Sequence, residues 1–265
     1  MRRLVYSTAL LIVLAASISS CKEKVTAQSK GICFDTLRVD TTALLSDSSK
    51  AHCSLHLNLI FLAGKEYEGV NDSVLRSGLL APEYLSLSSY TMTPAEAVDS
   101  FINRYISDYR SFYTSVYNEE ADDSVATIRY SVDAELRDGR SGITNYIAHV
   151  QCDLGAGSTA YTQVLNIDIV HDRVLRLEHV FLDGYEQELG DIIAQRLCKQ
   201  MKVKNLDALQ RIGYFVQCTP YATTNFEMGD RSIRFYYITG EIADRDKGET
   251  VVTVPYSALK RLMRR

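Results

Sequence analysis

The stretch that decides the fold is Asn225–Met263, NFEMGDRSIRFYYITGEIADRDKGETVVTVPYSALKRLM. Its pattern predicts a strand, a glycine-bounded loop of mixed charge, a second strand and a closing helix. We call residues 241–248 the charged loop. Loops that project from a rigid sheet often hold recognition residues, and tyrosine is enriched at binding surfaces when it is exposed. The candidate ligand-binding residues are Glu241, Asp244, Arg245, Tyr236 and Tyr256. The alternative is that the loop is only a solvated connection between two strands.

The N-terminus predicts the cellular compartment. Arg2 and Arg3 precede an apolar run, residues 4–16, which has the length of a signal-peptide core and is short for a membrane span. Ile18-Ser19-Ser20-Cys21 follows and resembles a bacterial lipobox, in which the cysteine receives a diacylglyceryl group and fatty acids such as palmitate. The alternatives are ordinary signal cleavage beside an incidental cysteine, or an uncleaved anchor.

We therefore predict a lipoprotein signal peptide over residues 1–20, lipidation of Cys21 and a polar tether over residues 21–31. Acyl chains on Cys21 would attach the protein to a membrane without spanning it. Lys22 is not the aspartate that often retains lipoproteins at the inner membrane, so the outer membrane is favoured.

Composition excludes one class of partner. The chain has 265 residues and a formal net charge of −4, with no cluster of basic residues. Nucleic-acid binding needs clustered Lys and Arg against the phosphates, so that class is set aside. Hydrophobic residues make up 46% of the chain, which is enough for a sizeable core. If Cys21 is lipidated, an odd number of cysteines is left, and none has a C-x-x-C spacing.

Hydrophobic periodicity predicts an α+β fold with antiparallel sheets, helices packed on one face and two subdomains, residues 32–123 and 124–265. Alternation between residues 37 and 61 predicts a hairpin, and residues 64–89 have no clear pattern. Thr93-Pro94-Ala95-Glu96 is a capping box that predicts a helix to about Tyr117. Three alternating runs between residues 126 and 169 predict an antiparallel meander, followed by helices near 189–202 and 206–212 and a strand at 214–218.

Two segments carry a resemblance to a known family. They are LNIDIVHDRVLRLEHVFLDGYEQEL, residues 165–189, and the tail with Tyr237 to Ala243, Gly248 and Val254-Pro255-Tyr256. Together they resemble domain of unknown function 3298, the extracytoplasmic domain of RsiV- and PdaC-type proteins, over residues 126–263. Residues 32–118 resemble more faintly the companion domain that precedes it. The resemblance implies a cell-envelope module: RsiV-like members recognise lysozyme, and the deacetylases carry a separate catalytic domain that this chain lacks. Gly240, just before the charged loop, and Asp244 within it depart from the family pattern.

No residue pattern points to a cofactor, a metal or a nucleophile. His52 and His56 lie on a predicted strand, where a four-residue spacing of about 13 Å is too long for one ion. Motifs of phosphate-binding loops, serine hydrolases and zinc peptidases are absent. A glycosidase needs only two carboxylates, and the candidates are Asp168, Asp172, Glu178, Asp183, Glu241 and Asp244. The sequence thus predicts a non-catalytic envelope lipoprotein that binds or senses an envelope protein or glycan. The alternatives are a hydrolase of envelope glycans and a structural lipoprotein.

Overall fold

A computed structural model describes residues 33–80, 92–116, 123–155 and 157–264. The predicted signal peptide, Cys21 and the tether lie outside these residues. The strands are β1 Phe34–Leu44, β2 His52–Leu62, β3 Ile128–Asp138, β4 Ile143–Asp153, β5 Ser158–Asp168, β6 Arg173–Leu175, β7 Phe226–Met228, β8 Ser232–Tyr237 and β9 Thr250–Pro255. The helices are α1 Glu68–Leu75, α2 Pro94–Val116, α3 Leu177–Val180, α4 Glu186–Gln200, α5 Leu206–Arg211 and α6 Tyr256–Leu259. No helix in the described ranges is both long and apolar enough to cross a membrane.

The strands form two sheets, and the α+β class is confirmed. The first sheet has the order β1-β2-β3-β4-β5-β6 and the second the order β7-β8-β9. The predicted hairpin β1–β2 and the meander β3–β4–β5 are both antiparallel. The prediction of purely antiparallel sheets is wrong at one place, because β2 and β3 pair in parallel. A parallel pair needs a long crossover connection, and the segment from β2 to β3, which contains α1 and α2, is that connection.

The first sheet packs one face against α1 and α2. Helix α2 begins at its predicted capping box, where the Thr93 amide donates to Glu96 Oε2 at 2.9 Å and the Glu96 amide donates to Thr93 Oγ1 at 3.3 Å. Its apolar stripe buries Phe101 completely, and the ring lies 5.9 Å from that of Tyr130 on β3. The aromatic residues predicted from the helical spacing therefore pack against the core, except Phe112, which is 61% exposed.

Helix α1 lies in the stretch without a clear pattern, so the sequence missed it. Val70 and Val74 are buried. Between them, Asn71 lies at a buried position, although hydrophobic periodicity would place a polar residue such as asparagine on the surface. Its side chain accepts from the Leu62 amide and donates to the Leu62 carbonyl, both at 2.9 Å, and thereby satisfies the end of β2. Residues 81–89, the last part of that stretch, lie outside the described residues.

The second sheet, with α4 and α5, forms the other core. Its buried residues include Leu189 and Ile193 of α4 and Phe235 and Val252 of the sheet. The predicted strand at 214–218 is wrong, because Phe215 has a positive φ of 52° and turns its ring inward. That ring packs edge-on against Tyr237 at 6.1 Å, and the Phe215 amide donates to the Ile242 carbonyl at 2.7 Å.

Asparagine side chains join the two sheets. Asn225 completes the outer edge of β5, since its Oδ1 accepts from the Val164 amide at 2.8 Å and its Nδ2 donates to the Thr162 carbonyl at 2.7 Å. An apolar contact of Ile147 and Val164 with Tyr236 lies beside it. The first sheet takes β1 and β2 from the predicted N-terminal subdomain and β3–β6 from the C-terminal one, so strand pairing crosses the boundary predicted at 123/124.

Candidate functional site

The candidate site is the side of the first sheet that faces away from α1 and α2. Alternation along β1–β5 places short polar and charged side chains there, and the second sheet covers only the part next to Ile147 and Val164. We call the part left open the polar face. It consists of Arg38, Asp40, Thr42, Ser54, His56, Asn58, Arg129, Ser131, Asp133, His149, Gln151 and Thr162.

A row of charged groups crosses the polar face from strand to strand. His56 Nδ1 lies 2.5 Å from Asp40 Oδ1, and His56 Nε2 lies 3.7 Å from Asp133 Oδ2. Asp133 is the register partner of His149 on β4. Asn58 donates to Asp133 Oδ1 at 3.2 Å, which fixes that carboxylate. Acidic and imidazole side chains therefore alternate across four strands, and most of them are open to solvent.

The hydrogen bond to Asp40, more than the charges of Asp40 and Asp133, raises the pKa of His56 above its usual value. Protonated His56 is thus favoured in the folded protein. Its contribution to stability is fully present below the pKa of the unfolded state and is lost as the pH rises through the folded-state pKa. The side chain is 45% exposed, so that contribution to stability is small and the effect falls mainly on the charge presented to a ligand.

The row ends at a shallow depression beside the second sheet. Its volume is about 340 Å³, and its lining includes Ser131, His149, Gln151, Thr162 and Glu249. The Glu249 carboxylate accepts from the Thr162 amide at 2.6 Å and from the Thr162 hydroxyl at 3.1 Å. The depression is open and polar, so it suits contact with a surface better than enclosure of a small molecule.

The charged loop is partly structural. Glu241 accepts from the Tyr221 hydroxyl at 2.6 Å and from the Ile238 amide at 2.8 Å, so both of its oxygens are engaged by residues outside the loop. Asp244 and Arg245 are exposed, as recognition residues would have to be. The connection between β8 and β9 is the one the sequence predicts, with a single 3-10 turn at Arg245–Lys247.

The two tyrosines beside the charged loop do not supply exposed contact area. Tyr236 is 7% exposed, and its hydroxyl donates to Glu227 Oε2 at 2.5 Å. Burial, followed by that hydrogen bond, raises the pKa of Tyr236. Tyr256 is half-buried: its hydroxyl donates to the Gly229 carbonyl at 2.9 Å, and the Arg140 guanidinium lies 4.7 Å above its ring. The exposure on which their predicted role depended is absent for Tyr236.

Carboxylates named for a hydrolase are held by neighbouring groups. Asp168 accepts from Arg173 Nε at 3.2 Å and lies 2.7 Å from His171 Nδ1. Asp172 accepts from the Val70 amide at 3.3 Å, and Asp183 pairs with Arg264 at 2.5 Å. These contacts tie loops and chain ends together.

Metal-ligand types of side chain and cysteine thiols also occur in the described part of the chain. It contains no group of three or more His, Cys, Asp or Glu side chains placed to hold a metal ion. Burial raises the pKa of the Cys53 thiol to about 12, and it also raises the pKa of Cys152 and Cys198. Raised pKa values keep these thiols protonated and poorly nucleophilic.

The sequence predicted the strands of the polar face but missed the site. The sequence interpretation includes His56 only as one of a histidine pair along β2, and it does not include Asp40 or Asp133. The only local signal is the polar half of each alternating strand. His56 and Asp133 come together only because β2 pairs in parallel with β3, and no local sequence pattern predicts that pairing.

Comparison with known proteins matches one part of the chain to a family model. Residues 178–257 match the family described as "Protein of unknown function (DUF3298)", within the span 126–263 that carries the resemblance. No curated protein matches the sequence.

Two solved structures share the fold. A member of the DUF3298 family from Bacteroides fragilis NCTC 9343 has a TM-score of 0.77 and 21% identity, over 89% of this chain and 94% of that one. A DUF3298 family protein from Pseudomonas aeruginosa PAO1 has a TM-score of 0.58 and 13% identity, over 86% of this chain and 94% of that one. At these identities the similarity is one of fold.

Proposed function

We propose that this chain, which carries a DUF3298 family domain at residues 178–257, is a non-catalytic, lipid-anchored module of the cell envelope that binds a protein partner. The polar face is the binding surface. The observation that carries the proposal is the row Asp40–His56–Asp133–His149, in which carboxylate and imidazole groups alternate across four strands of one sheet.

The composition of the polar face favours a protein over a glycan. Its described side chains are charged groups, amides, imidazoles and hydroxyls, and none of them is Phe, Tyr or Trp. Such a surface recognises a partner by complementary charge, which gives specificity and a fast association rate. Arg38 and Arg129 lie beside the aspartates of this row. The partner surface would therefore carry both signs of charge.

The lipid anchor would hold this surface close to a membrane. Cys21 is the proposed lipidation site and β1 begins at Phe34. An extended chain of the intervening length spans at most about 40 Å. That reach lets the sheet stand clear of the lipid headgroups and contact an envelope protein, with the outer membrane as the favoured location.

Site-specific photo-crosslinking in cells tests the binding surface. A photoreactive residue at Ser131 or Gln151 should capture the same protein from both positions. The matched controls are Ser107 and Ser111 on the exposed side of α2. Asp133→Lys, which reverses one charge of the row, should lower the yield from Gln151 about tenfold, whereas Asp108→Lys on α2 should leave it unchanged.

The other outcomes of this experiment would change the proposed surface or the proposed ligand. Equal capture from the polar face and from α2 would contradict the proposal. A crosslinked product that a muramidase reduces to the size of the uncrosslinked chain would identify a glycan instead. Capture from Arg245 with none from Ser131 or Gln151 would move the binding site to the charged loop.

Lipidation of Cys21 is tested separately in the full chain. Cells treated with globomycin, which blocks the lipoprotein signal peptidase, should accumulate a larger precursor that carries the leader. Cys21→Ser should abolish labelling by a palmitate analogue, and Cys33→Ser, a change at an exposed thiol outside the lipobox, should leave it intact. Unchanged precursor size and no lipid label on the wild-type chain would contradict the anchor and leave the binding surface to its own test.

A further inference from the structure

The first sheet ends at an unpartnered strand. β1 is the outermost strand, and among the described residues no other strand pairs with its outer edge. It is an 11-residue strand that runs without a bulge against β2. An edge of that length presents a row of backbone donors and acceptors on which another strand can pair.

The backbone hydrogen bonds identify which residues face outward. The Ala63 amide donates to the Cys33 carbonyl at 2.9 Å, and the Leu45 amide donates to the Ala51 carbonyl at 3.0 Å. In an antiparallel pair such residues alternate with residues whose N–H and C=O point away. The odd-numbered residues of β1 therefore bond to β2, and the even-numbered residues point their backbone groups outward. The Leu44 carbonyl fits this pattern, since it accepts from Arg110 Nε at 3.2 Å.

The charges on this edge complement a second copy of themselves. We infer that two copies of the chain pair through β1 in antiparallel orientation, about a two-fold axis at Val39. In that register Arg38 lies opposite Asp40 of the other copy, and this pair occurs twice. Thr36 lies opposite Thr42, also twice. The outward-pointing residues of one copy thus meet those of the other, which lets each pair exchange two backbone hydrogen bonds.

Neighbouring registers are disfavoured by the same charges. If the two-fold axis lay at Arg38, the two Arg38 guanidinium groups would face each other. If it lay at Asp40, the two Asp40 carboxylates would face each other. Like charges directly opposite destabilise a strand pair. Charges on an edge strand usually discourage pairing. Here the opposite charges of Arg38 and Asp40 favour the register centred at Val39 over its neighbours. An isologous two-fold contact is also the commonest form of homodimer.

The pairing would also double the polar face. Arg38, Asp40 and Thr42 of β1 lie on the polar face in both copies, so the two faces join into one continuous surface on the same side of the sheet. This consequence does not depend on what the surface binds, and the dimer is tested without a ligand.

Disulfide trapping of the full chain tests the register. Thr36→Cys and Thr42→Cys are placed in two differently tagged copies that also carry Cys33→Ser and Cys218→Ser, which remove the described exposed thiols. Opposed residues in such a pair lie about 5.5 Å apart at Cα, within disulfide range. Mild oxidation should give a mixed dimer and little of either homodimer. An absence of mixed dimer, or equal yields in all three combinations, would overturn the register.

Charge reversal tests the pairing itself by sedimentation equilibrium in detergent. Arg38→Asp or Asp40→Arg alone places like charges opposite each other twice, and each should weaken dimerisation at least about tenfold. The double reversal should restore it. His56→Gln removes the intrachain partner of Asp40 without changing the edge, and should have no effect. A wild-type chain that stays monomeric at roughly 1 mM, or a double reversal that fails to restore the dimer, would overturn the inference.

Discussion

Glu227→Ala should lower the free energy of unfolding by about 3 kcal/mol. Glu227 lies on β7, is 1% exposed, and accepts from Arg234 Nη2 at Oε1 and from the Tyr236 hydroxyl at Oε2. Arg137 of the first sheet approaches the same carboxylate, with Nη1 3.6 Å from Oε1. Removal of the Glu227 carboxylate leaves the buried Tyr236 hydroxyl and the Arg234 guanidinium without this acceptor, whereas Arg137 keeps its pair with Glu135. The loss falls at the lower end for a buried ion pair because both arginines keep partial access to water.

The matched control uses the same arginine. Glu135 pairs with Arg137 at 2.5 Å, but its side chain is 51% exposed, so Glu135→Ala should cost less than about 0.5 kcal/mol. Urea unfolding followed by far-ultraviolet circular dichroism gives both values by linear extrapolation. Equal losses for the two variants would show that Glu227 contributes no more than a surface charge.

Local sequence signals predicted the elements whose residues all lie close together in the chain. Thr93 and Glu96 predicted the start of α2 because the capping box is complete within one turn. The meander from β3 to β5 followed from alternation and short turns. Both depend on contacts between neighbouring segments.

Features that depend on distant contacts were not predictable in the same way. The parallel pairing of β2 with β3 joins segments separated by α1 and α2, and nothing in either strand specifies its partner. The row of His56 with Asp133 exists only through that pairing. The alternation of its own strand predicts that Tyr236 lies on the surface. It is buried because Ile147 and Val164 of the first sheet pack against it.

Contacts between the sheets also account for the other large expected effect, at Asn166. Asn166 is 1% exposed on β5. Its Oδ1 accepts from the Met228 amide and its Nδ2 donates to the Phe226 carbonyl, both at 2.7 Å. One side chain thus satisfies two buried backbone groups of β7, which pairs with β8 on its other side. Asparagine predicts a turn or a polar surface in a strand pattern, so this role was invisible in the sequence.

Asn166→Leu should lower the free energy of unfolding by roughly 2–6 kcal/mol, since it leaves two buried backbone groups unpaired and each costs about 1–3 kcal/mol. Asn58→Leu on the polar face is the control, with an expected loss below about 1 kcal/mol because its partner Asp133 can turn to water. Hydrogen exchange should show the Met228 amide losing protection in Asn166→Leu well before the amides of α2. If protection at Met228 survives, β7 is held by its pairing with β8 and by the apolar contact around Tyr236, and the asparagine bonds are dispensable.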